Sequence, residues 1–123
     1  MITLDTGALV AIERRRRPML AFMTEALSRG LRITVPTCVV GEWWRGQRGP
    51  VARILDAVVV EPLTLPLAKL VGETIAAVRD ASLVDAVVVA SAAQRGDLVL
   101  TTDLDDLSRI RDRAFPRVRL RRV

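Results

Sequence analysis

The sequence contains no histidine and no tyrosine, and these two absences remove several classes of mechanism. Without histidine, Ser-His and Cys-His nucleophile pairs and histidine-ligated metal sites are excluded. Without tyrosine, a nucleophile of the tyrosine-recombinase type is excluded. The glycine-rich GxGxxG and GxxxxGK[ST] loops that cradle phosphates are absent as well. The side chains left for chemistry are carboxylates, hydroxyls and arginines.

Cysteine, aromatic residues and long apolar runs are also scarce. The single cysteine, Cys38, allows no internal disulfide, which predicts a reducing, cytoplasmic setting. No apolar run approaches the length of a membrane span, so no membrane association is expected. The N-terminus does not resemble a signal peptide, because Asp5 interrupts its apolar start and the basic run 14–17 follows that segment. Two Trp and two Phe are too few for an extensive base-stacking platform.

The composition that remains predicts one basic, folded domain over residues 1–123. A chain of 123 residues, half of them hydrophobic, suits a single core. Its 19 Lys+Arg against 14 Asp+Glu leave a net charge of +5, which favours an anionic partner such as nucleic acid. Only Lys69 is lysine, so part of the arginine excess can reflect genomic base composition. Arginine is nevertheless the better bidentate ligand for phosphate.

Apolar spacing along the chain predicts alternating strands and helices. Strands are expected at 1–5, 32–35, 58–61 and 98–101, with a last edge strand where arginines alternate with apolar residues over 117–123. Helices are expected over 7–14, from Met19 to a stop at Gly30, over 37–45, from Val51, from Pro66, over 82–94 and over 103–110. Such alternation predicts a parallel α/β sheet, whose functional sites form at the carboxyl ends of the strands.

Four acidic residues lie in or beside apolar stretches. Asp5 ends the first predicted strand, Asp103 follows the fourth, Glu42 lies in the helix over 37–45, and Asp85 lies in an almost wholly apolar helix. A carboxylate near a core is costly unless its charge is compensated, and several together repel one another. A divalent cation would remove this cost, and carboxylate oxygens suit Mg²⁺ or Mn²⁺. The set therefore predicts an acidic metal site in a basic protein.

Each of these acids also has a simpler explanation. Asp5 and Asp103 both precede predicted helices and could be N-caps. Ser82 and Asp85 have the spacing of a capping box, and Glu42 could be a solvated position on an amphipathic helix. Capping does not explain, however, why four acids would meet at one edge of the sheet.

The ordered acids resemble those of PIN-domain ribonucleases and, among these, VapC-type toxins of bacterial toxin–antitoxin pairs. The residues that carry the resemblance are Asp5, Glu42 in PTCVVGEWW, Asp85 in SLVDAVVVASAAQRG and Asp103 in LVLTTDLDDL. It implies a five-stranded parallel sheet flanked by helices and metal-dependent endonucleolytic cleavage of RNA. It also implies a homodimer and inhibition by a VapB-type antitoxin.

Carried onto this chain, the resemblance implies that Asp5, Glu42, Asp85 and Asp103 are catalytic. These four, together with Asp106, would bind Mg²⁺ or Mn²⁺. Asp5 and Asp103 are expected nearest the metal, Asp85 close to it, and Glu42 acting through water. Thr6 and Thr102 flank the site and could hydrogen-bond ligands or the bound water.

Other features depart from the family pattern or have two interpretations. The connection from Val78 to Asp85 is short for the family, which predicts a reduced groove wall there. Trp43 and Trp44 follow Glu42 where smaller aliphatic residues are common; either both are core residues, or one faces a partner. The run Arg14 to Arg17 is either a phosphate-binding rim or a solvated helix end.

A second function class is a catalytically inactive PIN-like domain that only binds RNA or a partner. The four intact acids argue against it. A receiver domain or a haloacid-type phosphatase would need a nearby lysine, and the phosphatase would need a second acid at position 7, where this chain has glycine.

Overall fold

A five-stranded parallel sheet of order β3-β2-β1-β4-β5 forms the centre of the computed structural model, which describes residues 1–123. The strands are β1 (Ile2–Leu4), β2 (Ile33–Pro36), β3 (Val59–Glu61), β4 (Leu98–Thr101) and β5 (Arg119–Arg122). The helices are α1 (Thr6–Glu13), α2 (Arg17–Ser28), α3 (Thr37–Trp43), α4 (Leu65–Ala77), α5 (Leu83–Arg95) and α6 (Leu104–Ala114). The predicted α/β class with a five-stranded parallel sheet is confirmed.

The strand order creates a switch point between β1 and β4. From β1 the chain moves outward to β2 and β3, and it then returns to the other side of β1 to form β4 and β5. Because parallel crossovers are right-handed, α1 and α2 cover one face of the sheet and α4, α5 and α6 the opposite face. A crevice therefore opens at the carboxyl ends of β1 and β4, the position where parallel sheets bind ligands.

Helix α5 is the most buried helix of the chain. Residues 86–92 are buried on every side of it, which suits its apolar sequence. The Ser82 side chain caps its start by accepting from the Asp85 N–H, and Gly96 ends it in the left-handed conformation at φ 70°. The caps and the length of the segment explain why this valine-rich stretch is a helix, as predicted, and not a strand.

The bounds of the elements differ from the sequence prediction at several ends. The first strand stops at Leu4, not Asp5, because the Asp5 side chain caps α1. Helix α3 ends at Trp43, since Trp44 is extended, and α6 continues to Ala114, four residues beyond the predicted end. The segment predicted as a short helix from Val51 is a 3₁₀ turn, Ala52–Asp56. The arginine-rich strand β5 is an edge strand, as predicted.

The two adjacent tryptophans have different environments. Trp43 is 3% exposed and donates its indole N–H to Glu13 Oε2 at 3.1 Å. Trp44 is 43% exposed. The interpretation in which both are core residues is therefore wrong, and Trp44 is available on the surface.

None of the helices has both the length and the apolar character needed to cross a membrane.

Candidate active site

Asp5 lies at the centre of the crevice and is only 6% exposed. Its N–H donates to the Leu100 carbonyl at 3.3 Å, and one carboxylate oxygen accepts from the Ala8 N–H at 2.8 Å. Burial raises the pKa of Asp5 from 3.8 to about 6; hydrogen bonds from Thr101 and Ala8 oppose the rise, and the charges of Asp85 and Asp103 add to it. Asp5 is thus a buried carboxylate whose charge has no cationic partner.

Three further acids form a tight group beside Asp5. Asp85, Asp103 and Asp106 each offer a carboxylate oxygen, and these oxygens lie within 4.8 Å of one another. Asp85 is in the first turn of α5, whereas Asp103 caps α6 and Asp106 lies in its first turn. The N-termini of two neighbouring helices therefore bring these residues together, with Asp103 directly after β4.

The acids within this group shift one another's pKa values. Burial raises the pKa of Asp85, and the charges of Asp103, Asp106 and Glu42 raise it further against a hydrogen bond with Ser82. The hydrogen bond with Asp106 raises the pKa of Asp103 and lowers that of Asp106. Asp106 also accepts from Arg109 at 2.6 Å, which lowers its pKa as well. Apart from Arg109, the group has no cationic partner.

Glu42 lies at the rim of the site and is outside the group of three. It is exposed on α3, and its carboxylate accepts a hydrogen bond from the Thr6 hydroxyl. Thr6 is the first residue of α1, so this hydrogen bond joins the start of α1 to α3 directly beside Asp5. The charge of Glu42 still contributes to the raised pKa of Asp85. All four predicted acids therefore lie around one crevice, at different depths.

The simpler explanations for Asp5, Asp103 and Ser82 are also correct, since all three side chains cap helices. Capping does not compensate the charges of the acids, because the pKa values of Asp5 and Asp103 are raised and not lowered. The capping role and the role in a site are therefore compatible.

Two residues of the site carried only weak signals in the sequence. Thr101 is buried at the end of β4; its hydroxyl accepts from the Asp103 N–H at 2.8 Å, and its side chain also hydrogen-bonds Asp5. Gly7 lies against Thr102: a Cβ at position 7 would overlap Thr102 Oγ1 and lie 3.2 Å from the Thr102 backbone nitrogen. A glycine inside the first turn of a helix, where it is intrinsically unfavourable, is the signal that could have identified Gly7.

The run Arg14 to Arg17 is exposed, and two of its members border the site. Arg14 and Arg16 line a groove of 220 Å³ together with Thr6, Gly7, Val10, Ala11 and Thr102. This groove adjoins the crevice on the α1 face of the sheet. The location fits a phosphate-binding rim for Arg14 and Arg16.

The residues present fit a hard divalent cation. The donors of the tight group are carboxylate oxygens alone, the ligand type that Mg²⁺ and Mn²⁺ prefer, and no histidine or cysteine is among them. Burial raises the pKa values of Asp5 and Asp85, the hydrogen bond with Asp106 raises that of Asp103, and neighbouring acids raise all three further, with Arg109 as the one cation nearby. A divalent cation would compensate the negative charge of these acids.

Residues 2–113 match the sequence profile of the PIN domain family, so the chain belongs to that family. This confirms the resemblance drawn from the ordered acids. No curated protein matches the chain at a significant level.

Several solved structures contain chains whose fold is similar to that of this chain. A chain of FitAB bound to the IR36 DNA fragment has a TM-score of 0.71 at 17% identity, with 99% of this chain and 94% of that chain covered. A chain of VapBC2 from Rickettsia felis, bound to a DNA fragment from its promoter, has a TM-score of 0.72 at 16% identity, with 100% and 99% covered. FitAcB from Neisseria gonorrhoeae has a TM-score of 0.70 at 18% identity, with 98% and 96% covered. At these identities the likeness shows a shared fold.

Proposed function

We propose that this PIN domain is a metal-dependent endoribonuclease and the toxin of a type II toxin–antitoxin pair, acting in the cytoplasm. The observation that carries the proposal is the tight group of Asp85, Asp103 and Asp106 beside the buried Asp5, at the switch point of the sheet. Four carboxylates with one neighbouring arginine are a poor structural element but a suitable cation site.

Each acid has a distinct place in the proposed site. Asp5, Asp85, Asp103 and Asp106 would hold Mg²⁺ or Mn²⁺, and Glu42 would act from the rim through water. When bound, the cation would lower the pKa of a bound water and neutralise charge that develops on the phosphate. Thr101 orients Asp5 and the backbone of Asp103, while Thr6 orients Glu42. No nucleophilic side chain is required, which agrees with the absence of histidine.

The proposed substrate is RNA. The net charge of +5 attracts a polyanion, and Arg14 and Arg16 line a groove that adjoins the site. Exposed arginines can hold phosphates next to a scissile bond, while the acids hold the cation that acts on it.

The proposed partners are a VapB-type antitoxin and a second copy of the chain. Support comes from the similar fold of chains in the FitAB and VapBC2 complexes. The surface offers apolar side chains that a protein partner could cover, on the edge strand β3, in the segment after it and next to Glu42; they are Val59, Val60, Leu63, Leu65 and Trp44.

Cleavage of a mixed pool of cellular RNAs by the purified, partner-free chain tests the proposed activity. The reaction is run with Mg²⁺, with Mn²⁺ and with EDTA. We expect metal-dependent cuts that Asp5→Asn abolishes and that Asp112→Asn, a change of equal charge at an exposed residue of α6, leaves intact. If the folded chain cleaves no RNA with either metal, the binding-only class is correct. If Asp5→Asn still cleaves, the site assignment is wrong.

A further inference from the structure

A second groove beside the site is lined by arginines and has no part in the function proposed above. It has a volume of 390 Å³ and lies between the end of α4 and the exposed side of α6. We call it the arginine groove; its lining residues are Ala77, Val78, Arg79, Asp80, Arg109 and Arg113.

The arginine groove is continuous with the acidic group. A smaller depression shares Val78, Arg79, Asp80 and Arg109 with it and is also lined by Asp85 and Asp106. At the junction, Arg109 donates to Asp106 at 2.6 Å. Arg113 lies one helical turn beyond Arg109 on the same side of α6, so the groove leads away from the acids along that helix.

The arginines of this groove are available to bind an anion. Arg79, Arg109 and Arg113 are exposed, and neither Arg79 nor Arg113 forms an ion pair. Asp80 is the only acid that lines the groove, and Arg109 is paired with Asp106, so the unpaired Arg79 and Arg113 outnumber the acid of the lining. The lining therefore carries an excess of positive charge directly beside the acids.

The two basic grooves adjoin the crevice from opposite faces of the sheet. The groove of Arg14 and Arg16 lies on the face of α1 and α2, and the arginine groove lies on the face of α4 and α6. A polynucleotide that is cut internally must leave the reacting phosphate in two directions. With a groove on one side alone, the strand on the other side of the reacting phosphate would have no basic surface to bind.

We propose that the arginine groove binds the phosphates of the RNA strand on one side of the scissile bond, an inference that rests on the proposed nuclease function. Arg79 and Arg113 are positioning residues in this arrangement, because they contact the flanking backbone and not the reacting phosphorus. The depression that joins the acids to the groove is bordered by Arg79 and Arg109, so a strand that leaves the acids over this surface meets the guanidinium groups of the groove next.

Binding of single-stranded RNA without divalent cations tests the arginine groove. A fluorescein-labelled oligonucleotide of mixed sequence is titrated with the full-length chain in EDTA over a series of salt concentrations. For Arg79→Gln/Arg113→Gln we expect binding to weaken roughly tenfold at low salt, and the slope of log K against log salt to fall by about 1.4, the value for two lost phosphate contacts.

The matched control is Arg117→Gln/Arg119→Gln. It removes the same charge at the amino end of β5, since Arg119 pairs with Leu98, the first residue of β4. We expect its salt slope to remain that of the unaltered chain. An equal loss in both pairs overturns the proposal, because the attraction would then be one of net charge alone. The proposal is also overturned if the chain binds an acidic peptide more tightly than RNA and the Arg79→Gln/Arg113→Gln variant loses that binding.

Photo-crosslinking keeps the proposal testable if the double variant does not fold. RNA that carries 4-thiouridine is irradiated with the unaltered chain, and the adducts are mapped. Adducts in segments 77–81 and 109–113 support the groove; adducts confined to the region of Arg14 to Arg17 overturn it.

Binding is measured without metal, so the test of the arginine groove is independent of the test of the nuclease function. Arginine-dependent binding without cleavage under any metal rejects only the nuclease, and cleavage with unaltered binding rejects only the groove.

Discussion

Acidic side chains cluster in two regions of this molecule, and only one of the two clusters is compensated by cations. In the crevice, Asp5 meets Asp85 and Asp103, with only Arg109 nearby as a cation. At the carboxyl end of α5, Glu61 and Asp97 instead form ion pairs with the guanidinium of Arg95. The second set, which we call the Arg95 network, also includes hydrogen bonds from Thr3 to Asp97 at 2.9 Å and from Ser91 to Glu61 at 2.5 Å.

Asp5 and Asp97 show the difference most directly, because both are almost fully buried, at 6% and 3% exposed. Burial raises the pKa of Asp5 to about 6. Burial acts on Asp97 in the same direction, but hydrogen bonds from the N-terminal amine, Arg95 and Thr3 outweigh it and lower the pKa. The fold thus provides cations for Asp97, an acid with a structural role, and leaves Asp5, Asp85 and Asp103 without an ion pair. An uncompensated group of acids is what a cation-binding function requires.

The largest expected effect is the loss of Arg95. Arg95→Ala removes the cation of the half-buried Glu61 and one of the two cations of the buried Asp97, which keeps only the N-terminal amine. This change should lower the free energy of unfolding by about 3–5 kcal/mol. Urea denaturation measures this change. The control is Arg29→Ala, which removes an exposed ion pair with Glu25 and should change stability by less than about 1 kcal/mol. Similar losses in both variants would show that the Arg95 network is no more important than a surface pair.

Neutralising one acid from each region should change stability in opposite directions. In metal-free buffer near pH 7, Asp5→Asn should stabilise the chain by about 1–3 kcal/mol, because asparagine keeps the cap and removes a buried charge. Asp97→Asn should destabilise it by about 1–3 kcal/mol, because one of the two acceptor oxygens becomes an N–H donor and the negative charge beside Arg95 and the N-terminal amine is lost. Denaturation in EDTA checks both values, and a loss of stability in Asp5→Asn would contradict the contrast.

The pH dependence of stability should also have opposite signs. The folded chain protonates Asp5 near pH 6 and the unfolded chain near 3.8, so the folded state binds more protons between these values. The contribution of Asp5 therefore makes the chain more stable as pH falls from about 7 to about 4. The lowered pKa of Asp97 means that its stabilisation is lost only at lower pH. The difference in the free energy of unfolding between the unaltered chain and Asp5→Asn should change across this pH range, because only the unaltered chain has the Asp5 carboxyl. A difference that is constant with pH would contradict the contribution assigned to Asp5.

An effect of similar size is expected from Gly7→Ala, which tests how closely the two sides of the crevice approach. Rotating Thr102 would move its Oγ1, but its Cβ and backbone nitrogen would remain 3.0 and 3.2 Å from the new methyl group. Overpacking of this kind costs about 1–3 kcal/mol, and it should also reduce cleavage by moving Asp5 away from Asp103. Gly72→Ala on α4, where the added methyl group meets open space, is the control and should be neutral or stabilising. Equal effects of both changes would show that the close approach is unimportant.

The smallest expected effect is stabilisation by the cation. Under the proposed function, Mg²⁺ or Mn²⁺ at about ten times its Kd should raise the free energy of unfolding by about 1.4 kcal/mol, because a cation that binds only the folded state stabilises that state. Thermal denaturation with and without each cation measures the shift. Asp103→Asn should lose it, whereas Asp112→Asn should retain it. A shift of the same size in both variants would place the cation elsewhere.

Much of the fold was determined by patterns that lie within a few residues of one another. The alternation of apolar strands and helices, the caps at Ser82 and Gly96, and the order of the acids were sufficient to predict the parallel sheet and the family. Hydrogen bonds within a turn and the period of apolar residues depend on local geometry, so the sequence alone shows them. The exact ends of α3 and α6 were missed, because helix ends depend on what the last turn packs against.

The tertiary structure alone decided which distant side chains meet. The grouping of Asp106 with Asp85 and Asp103, with Asp5 beside them and Glu42 at the rim, depends on how the starts of α5 and α6 face each other across the switch point. The same holds for the contact of Gly7 with Thr102, for the burial of Trp43 but not Trp44, and for the pairing of Arg95 with Glu61 and Asp97. The physical reason is that these contacts join residues far apart in sequence, whose distances are set by helix packing and sheet order and leave no local pattern.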